Sequence, residues 1–564
     1  MNTDILNLIK ANYLKNPERV SISERNQRIT YRQLWLASNN FAHELKKIGI
    51  KKDDIIAVIG TRSISTVLCF VTALKLGAIY LPIDEKLPYK RISQMLFDSM
   101  PALVIQKNPP AEITEKFVTK DALAIKLAFT ELDNCAELDE IYDRKAAYLI
   151  YTSGSTGVPK GVFVPQSGLF GLCDYFVNSL HITEEDIIGQ FFSISFDGSI
   201  WDITMALFCG GELCIIDDDI IEDYQAFASY VNEKGITILT LPPPYVEYLD
   251  SNTLIRLRML ITAGSSASLS LIKKWSLKFD YVNAYGLTET TICATSWIIP
   301  KGTFSKDYVS IGTAMGCHQV SIVDENGKES PLGMPGEIYV KGPGIAIGFS
   351  DNSGGFKTGD IGKQLDDGTI IFIGRNDSQV NIRGYRIELE EINRKLLAIR
   401  NVKEAVVCIK EDSDGIGHIC AYYISQDKKL TQNDIINELK QILPAYMLPD
   451  WLIEIQKMPL SNSGKIDTKQ LDNPYIFKAD VEADYSSKIE KELADQWKVL
   501  LNIEQVNPTD NFHLLGGQSL KSIKLRNWIN EKYIIKISVA MLYKNPVLKD
   551  MAAQIEQMLQ GEII

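Results

Sequence analysis

Residues 151–162 read Tyr-Thr-Ser-Gly-Ser-Thr-Gly-Val-Pro-Lys-Gly-Val. Glycines and small hydroxyl residues allow a loop to close its backbone N–H groups and side-chain oxygens around a phosphate, and Lys160 adds a positive charge. Lys160 is followed by Gly161, so the Gly-Lys-Ser/Thr order of a Walker loop is absent. Gly342-Pro343-Gly344 lacks the spacing of a dinucleotide fingerprint. The run is compatible with a phosphate-binding loop of another kind, but a Gly/Ser-rich loop alone is more often a mobile turn.

Further segments rich in Gly, Thr and charged residues follow this loop or precede it. They cover residues 74–84, 283–290, 358–360, 374–379, 383–388 and 462–467. Together with residues 151–162, they resemble the motifs of the adenylate-forming superfamily, which includes acyl-CoA synthetases, luciferases and the adenylation domains of nonribosomal peptide synthetases. The resemblance covers nearly the whole chain, and several motifs in the same order are much more specific than one.

In that family a substrate carboxylate attacks the α-phosphate of ATP. Because both groups are anions, cations and Mg²⁺ must offset the charge that develops. The resemblance implies that Lys465 bridges the substrate carboxylate and the α-phosphate, that Glu289 is the Mg²⁺ ligand and that Thr288 contacts phosphate. A lysine between Gly464 and Ile466 would otherwise be read as a solvated loop charge.

The resemblance also implies an ATP site. Adenine would lie against Tyr285 with its amino group near Asn283, and Asp360 would accept from both ribose hydroxyls with the help of Arg375. The phosphate loop contributes Thr152, Ser153, Gly154, Ser155, Thr156, Gly157 and Lys160.

Asp377 matches the hinge about which a small C-terminal lobe of this family rotates between adenylation and thiolation, carrying Lys465 out of the site. Two positions depart from the family pattern. Leu287 stands where most relatives have proline, which we expect to alter only loop stiffness. Asn381 stands where a lysine is usual, so one contact of the thiolation state is in doubt while the adenylation chemistry is not.

Residues 196–201 resemble the pocket segment of peptide-synthetase adenylation domains. A buried carboxylate is costly without a cation, and the α-ammonium group of an amino acid is a natural partner for Asp197. Acyl- and aryl-activating relatives need no such charge. By resemblance, the pocket is lined by Asp197, Gly198, Trp201, Thr240, Ile261, Ala263, Ala284, Ile292, Cys293 and Lys465.

Most of this lining is apolar, which favours a large apolar side chain. It resembles the pockets of phenylalanine-activating initiation modules, with Gly198 expected to enlarge the cavity slightly. Tyrosine, tryptophan and nonproteinogenic aromatic amino acids stay open as substrates, as does the stereoisomer.

Residues 510–520 resemble the phosphopantetheine site of a peptidyl carrier domain, with Ser519 as the modified residue. Ser519 precedes a helical pattern, where free N–H groups favour a phosphodiester. A serine that simply caps the helix is the alternative, but a cap needs neither the preceding Gly-Gly nor Asp-Asn-Phe. His513 is expected to be a packing or surface residue.

The elements that must position these residues indicate three domains. About the first 375 residues alternate β-branched runs with amphipathic segments, as in α/β layers. We expect a large adenylate-forming lobe over 1–376, a small α+β lobe over 377–475 and an all-α four-helix carrier domain over 484–560. A capping box of Ser487 and Glu490 is predicted to start the carrier's first helix.

Composition and charge exclude several classes of protein. The net charge of −12 makes nucleic acid and membrane surfaces poor general partners. Nine cysteines without regular spacing argue against a disulfide framework or a zinc site. The N-terminus lacks the pattern of a signal peptide, so we expect a cytoplasmic protein.

These observations predict a ligase that uses ATP and Mg²⁺ to convert an aromatic amino acid to aminoacyl-AMP and then loads it on its own phosphopantetheine arm. The absence of motifs for other domains favours a free-standing loading module. Its partners would be a phosphopantetheinyl transferase and a downstream condensation or other synthetase protein in trans. A degenerate nucleotide-binding scaffold and an acyl or aryl acid-CoA ligase are the alternatives.

Overall fold

The computed structural model describes residues 5–121, 146–154, 158–376, 379–382, 384–411, 417–426, 430–459, 466–474 and, except for 502, 504, 513, 514, 516, 518 and 519, 485–559. The chain divides into two compact units. The first comprises Met1–Gly154 and Val158–Ile387, and the second runs from Glu388 to the C-terminus. The predicted boundary between the lobes, at 376/377, stays a prediction.

The described strands are, in chain order, β1 Val20–Glu24, β2 Gln27–Thr30, β3 Ile55–Gly60, β4 Ile79–Asp84, β5 Leu103–Gln106, β6 Thr119–Asp121, β7 Ala146–Thr152, β8 Lys160–Pro165, β9 Ile187–Gln190, β10 Glu212–Ile215, β11 Ile238–Leu241, β12 Met259–Thr262, β13 Asp280–Tyr285, β14 Thr295–Ile299, β15 Thr313–Ala314, β16 Gln319–Val323, β17 Gly336–Lys341, β18 Gly355–Gln364, β19 Ile370–Arg375, β20 Gln379–Ile382, β21 Tyr385–Glu388, β22 Val402–Glu411, β23 Gly417–Ser425 and β24 Trp451–Glu454.

The α-helices of the first unit are Leu6–Lys15, Tyr31–Lys47, Ile64–Leu76, Tyr89–Ser99, Ala111–Thr114, Gln166–Asn178, Asp197–Cys209, Asp218–Ile221, Tyr224–Lys234, Pro243–Val246 and Leu269–Ser276. Those of the second unit are Leu389–Leu397, Gln432–Lys440, Lys488–Leu501, Leu520–Tyr533, Val539–Lys544 and Leu548–Leu559. Short 3₁₀ turns cover Thr288–Thr290, Ala445–Met447 and Thr468–Gln470. None of the helices in the described ranges combines the length and apolarity needed to cross a membrane.

Two large sheets organise the first unit. One has the strand order β15-β14-β13-β12-β11-β9-β10-β1-β2 and the other β6-β5-β3-β4-β7-β8. The central strands of both run parallel, and antiparallel strands close one or both edges. A smaller antiparallel sheet, β16-β17-β18-β19, and the hairpin β20-β21 follow. The predicted α/β architecture is confirmed.

One hydrophobic core contains side chains from both large sheets. Ile22 and Ile261 reach it from the first sheet, Val58 and Tyr148 from the second, and the helix Ile64–Leu76 contributes most of its residues. Separate clusters cover the other face of each sheet. Helices that contribute to the shared core therefore lie between two apolar sheet faces, which explains why every residue of Ile64–Leu76 except Ser65 is buried.

Local signals begin and end this buried helix. Ser63 and Thr66 form a reciprocal capping box at its start. Gly77 ends it with a φ of 65°, a left-handed conformation that suits glycine. The chain then enters β4.

The second unit contains the small α+β lobe and the helical carrier. In the lobe, β22 pairs with β23 in antiparallel fashion and β24 adds a parallel strand. In the carrier, Trp497, Phe512, Leu525 and Ile555 belong to one buried cluster to which four helices contribute. The predicted four-helix domain is confirmed.

The predicted capping box at the start of the carrier is half formed. Glu490 N–H donates to Ser487 Oγ over 3.1 Å, as expected. The Glu490 carboxylate, however, accepts from the backbone N–H of Ser486 and not from that of Ser487. The N–H of Ser486 lies just before the helix and has no partner in the helix backbone, and the glutamate side chain is long enough to reach it.

Candidate active site

Three neighbouring parallel strands bring distant residues of the predicted pocket to one edge of the nine-stranded sheet. Thr240 of β11 is directly opposite Ile261 of β12, and Ile261 is opposite Val282 of β13. Ala263 follows the end of β12, and Ala284 lies near the end of β13. These positions are at the carboxyl ends of the strands, where open α/β sheets bind their ligands.

The helix Asp197–Cys209 adds a second wall. Trp201 is 1% exposed, and its Nε1 donates to Thr240 Oγ1 over 3.1 Å. The ring of Phe176 meets the indole edge-on with 4.8 Å between centroids. Because the indole is held by a hydrogen bond on one side and an aromatic ring on another, it forms a fixed wall.

Asp197 is the first residue of that helix, and its side chain is partly buried. Burial raises the pKa of its carboxyl group to about 6, a rise to which the nearby Glu289 adds, while hydrogen bonds from Thr288 and the Gly198 backbone and the charge of Arg386 lower it. Among the described residues, no cation lies within ion-pair distance of the carboxylate. The helix N-terminus offsets only part of its charge.

The segment 286–294 contains both the Mg²⁺ ligand predicted at Glu289 and the predicted pocket residues Ile292 and Cys293. It folds back on itself. Thr291 and Ile292 both have positive φ values, 50° and 70°, which β-branched residues rarely adopt. A Cβ at Gly286 would lie 2.3 Å from the Cα of Cys293, so this close return requires glycine. Ile292 and Cys293 are buried in the core cluster that also contains Trp201.

On the nucleotide side, Asp360 is held by two neighbours. The Tyr285 hydroxyl donates to Oδ2 over 2.5 Å, and Arg375 Nη1 lies 2.5 Å from Oδ1. Asp360 and Arg375 are opposite each other in the pairing of β18 with β19. Asn283 donates its side-chain amide to the Ser310 carbonyl over 2.7 Å. The structure thus groups three of the residues predicted to bind adenosine, Tyr285, Asp360 and Arg375.

Glu289 forms an ion pair with a residue that the sequence analysis left without a role. Its Oε2 lies 2.6 Å from Nη1 of Arg386, and Arg386 Nε donates to Gln379 Oε1 over 2.7 Å. The carbonyl of Arg386 accepts from Ser153 Oγ over 3.0 Å. Both arginine and glutamine lie in recognised motifs, so the signal was the motif itself, but only the fold shows which carboxylate the arginine meets.

These residues fit a Mg²⁺ ion that is bound mainly through substrate. No group of three or more possible His, Cys, Asp or Glu ligands occurs within the described ranges. Mg²⁺ typically takes one or two protein carboxylates together with nucleotide phosphates and water, so a single buried Glu289 is a suitable donor.

Other predicted residues have partial support or none. Lys160 Nζ lies 4.1 Å from the ring centroid of Phe349, and the Thr152 hydroxyl donates to the Lys160 carbonyl over 3.5 Å. The predicted residues Ser155, Thr156, Gly157, Asp377, Lys465 and Ser519 lie outside the described residues, and their roles stay predictions.

Tyr148 is a second residue that the sequence analysis did not single out. Its hydroxyl is fully buried and has no hydrogen-bond partner among the described residues. Burial raises its pKa well above the ordinary value, and the charge of Asp197 raises it further. Its position on β7, just before the phosphate loop, was the available signal.

The eight described cysteines are free thiols, and Cys135 lies outside the described residues. Burial raises the pKa of Cys293, and the charge of Asp197 adds to the rise. A protonated thiol at this pocket position is a small apolar lining group.

Comparisons with known proteins identify the family of the chain. The family model of AMP-binding enzymes matches residues 9–349, and the model of the phosphopantetheine attachment site matches residues 491–555. Tyrocidine synthase 1 of Brevibacillus parabrevis is 37% identical over 559 residues, which are 95% of this chain and 51% of that protein. Gramicidin S synthase 1 of Brevibacillus brevis is 37% identical over 595 residues, 99% of this chain and 53% of that protein. The chain thus spans about half the length of these relatives.

Solved structures support the same fold. Holo-PA1221, a nonribosomal peptide synthetase protein containing adenylation and carrier domains and bound to a vinylsulfonamide inhibitor, has a TM-score of 0.84 at 22% identity, with 98% of this chain and 96% of that chain covered. The fused adenylation–carrier didomain NpsA-ThdA of Klebsiella oxytoca has a TM-score of 0.72 at 22% identity, with 98% of each chain covered.

The predicted fold class is therefore confirmed. Adenylation domains are ligases that use ATP and Mg²⁺, and the attachment-site domain carries phosphopantetheine. The chain belongs to the AMP-binding, adenylate-forming enzymes, as an adenylation domain followed by a phosphopantetheine carrier domain.

Proposed function

We propose that this protein activates a large apolar amino acid, phenylalanine or another aromatic one, as aminoacyl-AMP and loads it as a thioester on its own carrier at Ser519. The observation that carries the proposal is the carboxylate of Asp197, a partly buried group next to the apolar cluster that contains Trp201 and Cys293; the charge of Arg386 reaches it, but no ion-pair partner for it is found among the described residues. An amino acid brings the missing cation as its α-ammonium group.

The electrostatics favour an amino acid over a simple acid. A partly buried carboxylate at neutral pH gains most from a ligand cation because few water molecules compete for it. A fatty or aryl acid has no group for Asp197 and would leave its charge unpaired. This difference disfavours an acyl or aryl acid-CoA ligase.

The lining favours a large apolar side chain. Trp201, Ile261 and Cys293 are at most 3% exposed, and the hydroxyl oxygen of Thr240 accepts a hydrogen bond from the indole N–H. A charged side chain would find no partner among these walls. Ala284, a small residue near the end of β13, would leave more room for a ring than a larger side chain at this position.

In the first half-reaction the amino-acid carboxylate attacks the α-phosphorus of ATP, and the bond to pyrophosphate breaks. Thr288 and Glu289 would face the phosphates, with Glu289 holding Mg²⁺ and Lys465 bridging the two anions. Asp360 would orient the ribose, and Tyr285 the adenine. The phosphopantetheine arm supplies the thiol that accepts the aminoacyl group with release of AMP.

The proposed partners follow from the carrier domain. A phosphopantetheinyl transferase would modify Ser519, and a condensation or other synthetase protein would take up the aminoacyl thioester.

Amino-acid-dependent exchange of pyrophosphate into ATP tests the proposal. With a panel of amino acids, exchange should be fastest with phenylalanine or another large aromatic one. Lys465→Ala should reduce it by several orders of magnitude with a modest loss of ATP affinity, because the charge between the two anions is removed. Lys469→Ala, which removes an exposed lysine four residues on, is the matched control and should keep wild-type exchange. ATP binding without exchange for any amino acid would support the nucleotide-binding scaffold instead.

Ser519→Ala should leave exchange intact and abolish covalent loading, since it removes the hydroxyl that phosphopantetheine modifies. Intact-protein mass spectrometry after incubation with a transferase, coenzyme A, ATP and the amino acid measures the loading. Thr509→Ala removes an exposed hydroxyl of the same domain and should load normally. Loading of the Ser519 variant would place the acceptor elsewhere.

Binding of the amino acid should depend on the ionisation of Asp197. Because the free carboxyl group has a pKa of about 6, the affinity should fall about tenfold per pH unit well below that value and level off above it. Calorimetric titration without ATP and Mg²⁺ measures this dependence. Thr288→Val removes a hydrogen bond to the carboxylate and should move the midpoint to higher pH. An affinity that does not change between pH 5 and 7, within about twofold, would contradict the role of Asp197.

Arg386→Gln should lower the Mg²⁺ concentration that gives half-maximal exchange. Arg386 Nη1 lies 2.6 Å from Glu289 Oε2, so the guanidinium must leave before the carboxylate can bind a metal ion. Exchange at saturating ATP and amino acid, measured against free Mg²⁺, gives the value. Arg394→Gln, at an exposed arginine that pairs with Glu390, is the control. An unchanged or higher Mg²⁺ concentration at half-maximal exchange would show that the two cations do not compete.

A further inference from the structure

Gly198 has a neighbour that fills the space of its absent side chain. A Cβ built on Gly198 would lie 2.8 Å from both Cγ and Cδ2 of Phe192. Carbon atoms in contact are normally about 3.5–4.0 Å apart, so an alanine at 198 and the present ring of Phe192 exclude each other. The expectation that Gly198 enlarges the pocket is thereby corrected, since the freed space belongs to a phenylalanine ring.

A buried carboxylate holds the backbone just before Phe192. Asp202, fully buried on the helix Asp197–Cys209, accepts from the backbone N–H of Phe191 over 3.2 Å. Burial raises the pKa of this carboxyl group well above the ordinary value, while hydrogen bonds from Phe191, Thr240 and Phe192 lower it. The preceding ring, Phe191, packs edge-on against Tyr245 with 4.7 Å between centroids.

Two hydrogen bonds hold neighbouring parts of the predicted pocket. Asp202 holds the backbone just before Phe192, and Thr240 on β11 accepts from the indole of Trp201, the residue before Asp202. The segment before Phe192 and the strand end at Thr240 are therefore both tied to the helix Asp197–Cys209. A ring at 192 has little freedom to move aside when a side chain is added at 198 or when a larger ligand enters.

We propose that Phe192 is a further specificity-determining residue of the amino-acid pocket, whose ring replaces the side chain that Gly198 lacks and limits the width of the substrate beside Asp197. This inference rests on the proposed function. The residue pair 192/198 then acts as a unit: the ring and the glycine are complementary in size, and changing one alone disturbs the wall.

The test is a double-mutant cycle of Phe192→Ala, Gly198→Ala and the double variant, assayed by pyrophosphate exchange with phenylalanine and with the bulkier tryptophan. Phe192→Ala opens the wall and should raise the ratio of kcat/KM for tryptophan to that for phenylalanine by about tenfold or more. Gly198→Ala should lower kcat/KM for phenylalanine at least about tenfold, because the new methyl group displaces the ring. The double variant should regain most of this loss, since the methyl group then has room.

A substrate-independent readout accompanies the cycle. Gly198→Ala should lower the Tm and Phe192→Ala should restore part of the decrease, a non-additivity expected of contacting residues. Phe97→Ala, at a ring that is 50% exposed, and Gly60→Ala, whose Cβ would meet only a methyl group at 3.6 Å, are the controls and should leave the substrate ratio unchanged.

The outcomes separate the two proposals. A wild-type enzyme that exchanges with no amino acid overturns the proposed function and this inference with it. An active wild type whose tryptophan-to-phenylalanine ratio is the same in Phe192→Ala overturns the inference alone. Additive effects on kcat/KM and Tm in the double variant do so as well, because they would mean that the residues do not share one space.

Discussion

The carboxylate of Asp197 is the group on which the proposed chemistry depends. It begins a helix, lies partly out of water and has no ion-pair partner among the described residues. A charge in that position is tolerated because a helix N-terminus and the Thr288 hydroxyl stabilise it in part. The remaining deficit is what a ligand ammonium group can satisfy, so the site gains binding energy from the one feature that separates amino acids from other carboxylic acids.

Three acidic side chains of the site differ in their partners, and the differences match their proposed tasks. Asp360 is held on both oxygens by Tyr285 and Arg375, which suits a residue that orients a ribose without changing its charge. Glu289 is paired with Arg386, a cation that another cation can replace. Asp197 has no ion-pair partner among the described residues, and its proposed partner is the ammonium group of the substrate. The partner that the fold places beside each carboxylate therefore matches the role proposed for that carboxylate.

The sequence predicted those features that depend on short-range pattern. The alternation of β-branched runs with amphipathic segments predicted the α/β layers of the first unit, and the motif order identified the family. It did not predict contacts that depend on where two distant side chains meet. Glu289 and Arg386 are 97 residues apart, and glycine at 198 was taken for open space because the pattern cannot show that the ring of Phe192 lies there. Close packing between elements is set by the folded backbone and not by local propensity.

The segment 286–294 carries this packing into the reaction. Thr288 and Glu289 belong to its first turn, and Ile292 and Cys293, which are predicted to line the pocket, to its return. The return brings the backbone so close to Gly286 that no side chain fits there, and two β-branched residues adopt positive φ values to allow it. Such strain persists only where the surroundings over-determine the backbone. In the proposed site, a ligand that shifts Ile292 or Cys293 would therefore also shift the turn that bears Thr288 and Glu289, so the substrate side chain and the Mg²⁺ ion would act on one rigid segment of backbone.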